Sequence, residues 1–266
     1  MAQSFKFYTT GNMRTVDVTF VTNQRIPNRI EYAFDNNLDT FWEALNISNI
    51  DIELDFGVGN TISVSAFAVF CRNYNETFFT TVAELYYSDN GTSWTFWPST
   101  FIQFSNLQSN GIVLIDTPTT RTHRYWKIAI SGVINIPEVA GFFLLTKHTI
   151  ASGNLEPDVN DKNYAIKKQR APGGRTLKRQ LNRVAGETFK RTWLLTDDTD
   201  RDVLEAIWDD SGGHALPLFM VEDSDDARLV EIVEPVAFND NKMQHQLYRP
   251  SITFRTLPYI EDGELF

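Results

Sequence analysis

From Phe20 to Leu155 the chain alternates short runs of aromatic and β-branched residues with clusters of turn formers, and no stretch there keeps the three-to-four-residue apolar spacing of a helix. The punctuation falls at Asp35-Asn36-Asn37, Gly57-Val58-Gly59-Asn60, Ser88-Asp89-Asn90-Gly91, Ser109-Asn110-Gly111 and Ile136-Pro137-Glu138. Runs this short bury little surface alone, so about eight of them must pair into sheets that share one core, as in a sandwich or jelly roll. Ala83 to Ser88 alternates with period two, Asp89-Asn90-Gly91 supplies a turn with positive φ, and Trp94 to Trp97 returns as the second arm of a hairpin. Arg124 to Ile130 alternates again, whereas Val139 to Thr146 is apolar on both faces, the mark of a central strand.

The pattern changes at Ala151 to Asp161, which is polar and poor in large apolar side chains. We place a domain boundary there and expect a β-sandwich over residues 1–154 and a smaller β-rich unit over 155–266. Length agrees, since 266 residues exceed one typical domain. In the second unit Tyr164 to Arg170, Thr176 to Val184 and Thr188 to Leu195 read as three basic strands joined by turns. Asp198 or Thr199 then N-caps a helix, Asp200 to Asp209, whose Val203, Leu204, Ile207 and Trp208 share a face and which Gly212-Gly213 stops. Ala215 to Glu222, Arg228 to Pro235 and Tyr248 to Leu257 are the closing strands.

Charge is segregated in this second unit. Lys162 to Arg191 holds ten Lys or Arg against Glu187 alone, and Asp197 to Asp210 holds seven acids against Arg201 alone. Such blocks form either a solvated face or complementary surfaces for self-assembly. The net charge of −10 opposes binding to nucleic acid, which is driven by cationic side chains displacing counterions from phosphates. No apolar run approaches the roughly 18–20 residues needed to cross a bilayer, and Met1 to Thr15 lacks the apolar core of a secretory signal, so neither membrane insertion nor secretion is expected and synthesis in the cytoplasm is. One cysteine, Cys71, excludes an intrachain disulfide and reads as a small buried apolar residue.

The search for catalytic chemistry fails at each motif. There is no G-x-S-x-G, no H-E-x-x-H, no phosphate-binding or dinucleotide glycine pattern, and His123, His148, His214 and His245 never stand at a metal-binding spacing. The carboxylates of Asp197 to Asp202 are explained by the helix start, where acids complement the dipole. We therefore expect no enzyme and no obligatory cofactor. Two loops remain as binding candidates. Asp35 to Thr40 offers several hard oxygens within six residues, enough to contribute to a calcium site or to build an Asx-rich turn. Arg72 to Phe79 carries three aromatics and an Arg, and Arg72, Asn73, Tyr74 and Phe78 either contact a sugar or pack onto the core or a neighbouring subunit.

Four ordered stretches resemble the discoidin family, the coagulation factor 5/8 type C or galactose-binding-like jelly roll. They are Ala33 to Trp42, an acidic loop ending in Trp; Asp51 to Gly57; the hairpin Glu84 to Trp94; and Arg124 to Ile128. The resemblance implies an adhesive or ligand-binding module, with structural calcium at Asp35, Asn37 and Thr40. This chain departs from the pattern at Gly141, where a late acidic ligand is expected. Tyr164 to Tyr259 is similar to the tail-tip proteins of tailed bacteriophages, through Gly173-Gly174-Arg175, Thr192 to Thr196 leading into the helix, Leu216 to Phe219, and Arg249 to Phe254. That similarity implies a virion structural protein: a ring of identical subunits joined across Lys178, Arg179, Asp198 and Asp202, contacting the tail tube and other tail-tip proteins. The alternative function is a carbohydrate-binding module that recognises host surface glycans.

Overall fold

The computed structural model describes residues 5–10, 16–22, 25, 27–35, 38, 40–74, 76, 78, 80–108, 110–150, 154–157, 161–163, 166–170, 176–180, 186–193, 198–213, 216–222, 227–233 and 251–257; the side chains of 154–187, 198 and 222 lie outside that description. Contacts divide the chain into two units. One comprises Phe7–His148 with Asp225–Ala227; the other comprises Met1–Lys6, Thr149–Ser224 and Arg228–Phe266. The chain passes between these units more than once.

The first strand, β1 (Phe5–Thr9), spans the division at Lys6. Within the larger unit follow β2 (Asp17–Val21), β3 (Trp42–Glu43), β4 (Ile50–Asp55), β5 (Ile62–Cys71), β6 (Val82–Ser88), β7 (Thr95–Phe96), β8 (Ile102–Gln103), β9 (Ile112–His123), β10 (Tyr125–Ser131) and β11 (Glu138–Ile150). Two antiparallel layers result. One is six-stranded, in the order β2-β4-β10-β6-β7, with β8 also paired to β6; the facing layer has β5 between β9 and β11, with β3 paired to β11. This is the mainly β sandwich that the alternating pattern predicts.

The pattern of each strand explains its place. β4 and β10 alternate strictly between buried and partly exposed positions, so Ile50, Ile52, Leu54, Trp126, Ile128 and Ile130 face inward. Across the gap stand Phe67, Val69, Phe142 and Leu144. β11 is buried from Val139 to Leu145 without alternation, in agreement with its apolar run. Between β6 and β7, Ser88 Oγ accepts the amides of Asn90 and Gly91 at 3.2 and 3.0 Å, and Asn90 Oδ1 accepts those of Thr92 and Ser93 at 2.9 and 2.8 Å. Gly91 there has φ 70°, the left-handed conformation the turn requires.

In the smaller unit lie β12 (Asn154–Pro157), β13 (Asp161–Asn163), β14 (Ile166–Arg170), β15 (Thr176–Gln180), β16 (Gly186–Trp193), α1 (Asp198–Asp210), β17 (Leu218–Glu222), β18 (Ala227–Ile232) and β19 (Ser251–Thr256). The three basic strands do not form one sheet. Among the described residues β14 and β15 pair only with each other, while β16 takes β12 and β13 on one side and β19 on the other, with β18 beyond it. The reason is apolar content: β16 brings Phe189 and Trp193 to stack near Phe254 of β19 at 5.6 and 6.4 Å, and β14 has nothing comparable to offer. α1 begins at Asp198, buries Leu204 and Ile207, and ends where Gly213 N donates to Trp208 O at 2.8 Å with φ 75°.

Candidate functional site

The turn leaving β5 is built from its backbone outward. Arg72 N donates to Glu138 O at 2.8 Å, and Asn73 closes the opposite side: its Oδ1 accepts Glu138 N at 2.8 Å and Cys71 Sγ at 3.1 Å, and its Nδ2 donates to Ile136 O at 3.0 Å. Asn73 is therefore an internal bridge between the ends of β5 and β11. Gly111 holds the other side of the same turn, accepting Cys71 N at 2.9 Å; a Cβ on Gly111 would stand 2.4 Å from Cys71 O, so only glycine fits.

β3 is laid against the same end of β11, with Trp42 opposite Val139 and Glu43 opposite Glu138. The Arg72 guanidinium lies 4.7 Å over the Phe41 ring. Glu43 receives Asn28 Nδ2 at 2.7 Å and pairs with Arg25. The end of β11 thus gathers one aromatic ring from the early loop, a guanidinium stacked on it, a carboxylate held by a carboxamide and a second Arg, and the half-buried Tyr74 nearby in sequence. These groups offer hydrogen bonds and ring faces; none is arranged as a nucleophile with its base.

Of the four residues expected to touch sugar, Arg72, Asn73 and Phe78 are buried at 4%, 7% and 2% exposure. Phe78 packs against Phe104 with ring centroids 5.9 Å apart, and Asn73 spends its side chain on backbone. These side chains shape the turn, and Phe41, Glu43, Arg25, Asn28 and Tyr74 are the less buried groups beside it. Sequence reasoning did not group Phe41, Glu43, Arg25 and Asn28 with Arg72, because it is the pairing of β3 with β11 that carries them there.

For calcium, Asp35 is exposed and its Oδ2 accepts Thr40 Oγ1 at 2.7 Å; Asn37 lies outside the described residues. At Gly141 the space of a side chain is filled by the Phe143 ring, 2.2 Å from an ideal Cβ, so no late ligand stands there. Among the described residues no three His, Cys, Asp or Glu side chains converge as metal ligands; Asn36 and Asp39 of this loop, like Asn37, lie outside those residues.

The four assembly candidates all lie in the smaller unit. Lys178 and Arg179 stand on β15 opposite Lys168 and Lys167 of β14, Asp198 opens α1, and Asp202 is exposed one turn on. The side chains of Lys178, Arg179 and Asp198 are outside the described residues. Among those residues no helix is long and apolar enough to cross a membrane.

The family model described as the F5/8 type C domain matches residues 17–139. No curated protein matches. Solved structures similar to this chain include the C-terminal domain of a chitobiase from Bacteroides fragilis, 15% identical over 52% of this chain and 97% of that one with a TM-score of 0.43. They also include the family 32 CBM of Clostridium perfringens NanJ in complex with galactose, 16% identical over 53% and 99% with a TM-score of 0.41. A third is CpGH89CBM32-5 from Clostridium perfringens in complex with GalNAc-beta-1,3-galactose, 14% identical over 51% and 97% with a TM-score of 0.40. None of these matches bears on the resemblance of Tyr164 to Tyr259 to tail-tip proteins. The F5/8 type C match thus falls on residues 17–139, which hold the two antiparallel layers and the acidic loop leading to Trp42.

Proposed function

We propose that the larger unit is a non-catalytic carbohydrate-binding module whose ligand sits at the end of β11. The observation that carries this is the stacking of Arg72 over Phe41 beside the Glu43, Asn28 and Arg25 cluster. A sugar presents one apolar ring face and several hydroxyls. Phe41 and Tyr74 supply surface for the first, and Glu43 and Asn28 supply an acceptor and donors for the second. The F5/8 type C match supports a ligand-binding role for this unit. Titration against a panel of neutral and acidic glycans tests it. Saturable binding lost on Phe41→Ala and Tyr74→Ala, with the unfolding midpoint unchanged, is the expected result; a panel with no binder refutes it.

A second reading, a ring-forming phage tail-tip subunit, has its own support in the register of β14 and β15. Lys167 faces Arg179 and Lys168 faces Lys178, like charges opposite one another on a two-stranded sheet that is marginal alone. An acidic segment of a second copy, such as α1 with Asp198 and Asp202, would complement the charge of that basic pair of strands. Light scattering on Lys178→Glu with Arg179→Glu decides it: a lower mass than wild type, most clearly at low salt, is expected, and an unchanged mass counts against the ring.

A further inference from the structure

The outer face of the six-stranded layer carries a row of side chains the sequence does not announce. Register runs it from strand to strand: Phe20 of β2 opposite Glu53 of β4, Glu53 opposite Lys127 of β10, Lys127 opposite Tyr86 of β6, and Tyr86 opposite Phe96 of β7. Four strand spacings give the row a length of roughly 19 Å. Its two ends are open, with Phe20 49% and Phe96 37% exposed. Phe20 is there because of a bulge in β2. Val18 faces Leu54 and Val21 faces Ile52, both toward the core, so the extra residue between Val18 and Phe20 turns Phe20 outward, where simple alternation from Val18 would bury it.

At the centre Lys127 Nζ lies 4.8 Å over the Tyr86 ring, 5.5 Å over the Trp94 ring and 4.0 Å from Asp51. One ammonium thereby holds Trp94, from the β6–β7 turn, and Tyr86 in a fixed arrangement, with Phe96 5.3 Å from Tyr86. The next row places Ala129 between Asp51 and Glu84, a small floor flanked by two carboxylates, and Tyr86 donates its hydroxyl to Glu84 at 3.1 Å.

We infer that this face is a second binding platform, for a neutral glycan chain laid across the strands. Charge selects the ligand class. Asp51, Glu53 and Glu84 outnumber Lys127 and repel an anion. The slot over Tyr86 and Trp94 that would take a cation is filled by the ammonium of Lys127. What remains open are the Phe20 and Phe96 rings at the two ends with hydrogen-bond acceptors between them, which suits the apolar faces and hydroxyl donors of uncharged sugars. The platform shares its ligand class with the site at the end of β11 and none of its residues.

Titration of the full chain with galactose and with linear neutral hexasaccharides of glucose, mannose and galactose tests it, read together with amide chemical shifts. A hexasaccharide is expected to shift the amides of Tyr86 and Lys127, to lose at least tenfold in affinity on Phe96→Ala or Glu53→Gln, and to keep that binding in Phe41→Ala with Tyr74→Ala. Hexasaccharide binding that is unaffected by Phe96→Ala and abolished by the Phe41 and Tyr74 changes overturns the platform while sparing the site at the end of β11. No hexasaccharide binding in the wild type overturns it too. So does a wild-type dimer that falls to monomer on Phe96→Ala, which would make the face a contact between copies. Phe96 is exposed and Glu53 lies on the outer face, so unfolding midpoints near that of the wild type confirm that these variants report on binding.

Discussion

The turn after β5 and the outer face of the six-stranded layer draw on the same chemistry, a cationic side chain among aromatic rings, and use it in opposite ways. In the turn, Asn73 and Phe78 are enclosed and their contacts are to backbone and core. On the sheet, Lys127, Tyr86 and Phe96 stand at outward positions, and their contacts are to one another and to the neighbouring outer-face side chains Trp94, Asp51 and Glu84. The lesson is that an Arg-Asn-Tyr sequence with aromatics nearby describes a surface only if the backbone leaves those side chains outside. A buried polar side chain is committed to hydrogen bonds that hold the fold, and an exposed one is free to exchange water for ligand.

Five substitutions, the third and fourth taken as a pair, would break or sharpen this contrast. The largest effect is expected from Phe78→Ala, which empties core volume beside Phe104 and should cost about 3–5 kcal/mol in chemical denaturation. Asn73→Ala removes the bridge between β5 and β11 and leaves Glu138 N and Ile136 O without that partner, a loss on the order of 2 kcal/mol by the same measurement. A loss below about 0.5 kcal/mol for either would place the turn among surface features and erase the contrast.

The third and fourth substitutions concern pH and the outer face alone. Asp55 takes a bidentate pair of hydrogen bonds from Arg124 at 2.6 and 2.7 Å; this pair, with the Gly57 amide, holds its carboxyl below the ordinary range against the opposing effect of burial. Its contribution is complete above the unfolded carboxylate pKa and disappears as pH falls through the lower folded value. Glu53 is pushed the other way, by burial first and by Asp51, with Lys127 opposing. Its charged form is disfavoured by folding, so it subtracts stability as pH rises through its raised folded value. Denaturation at acidic and neutral pH should show Asp55→Asn less stable than wild type at neutral pH with a reduced acid-side loss, and Glu53→Gln equal or more stable at neutral pH. The reverse ordering would mean that the outer face carries structural charge, as the turn does. The smallest effect is expected from Phe96→Ala, within about 0.5 kcal/mol of wild type, since its ring is already in water's reach.

Much of the fold was legible from local pattern. Period-two alternation located β6 and β10, the unbroken apolar run located β11, and Asn90-Gly91 located the hairpin turn, because each signal is written within a few residues. The helix was equally plain, down to its closing glycines. Partner choice was not. The basic strands read as three neighbours, yet β16 pairs with β19, whose Ser251 to Thr256 lie far along the chain. Of the candidate site, the turn at Arg72 was visible and its burial was not, and Phe41 and Glu43 reached it only through pairing with β11.

The sequence by itself determined that this chain forms sandwiched β-layers and the helix α1, since strand period, turn residues and helix caps are properties of neighbouring residues. Tertiary structure alone decided which side chains became surface. A single bulge carries Phe20 outward, one hydrogen-bonded bridge encloses Asn73, and cross-strand register lines Glu53, Lys127, Tyr86 and Phe96 into a row. The physical reason is that a one-residue shift between strands exchanges inside for outside, and that shift is set by contacts between segments distant in the chain.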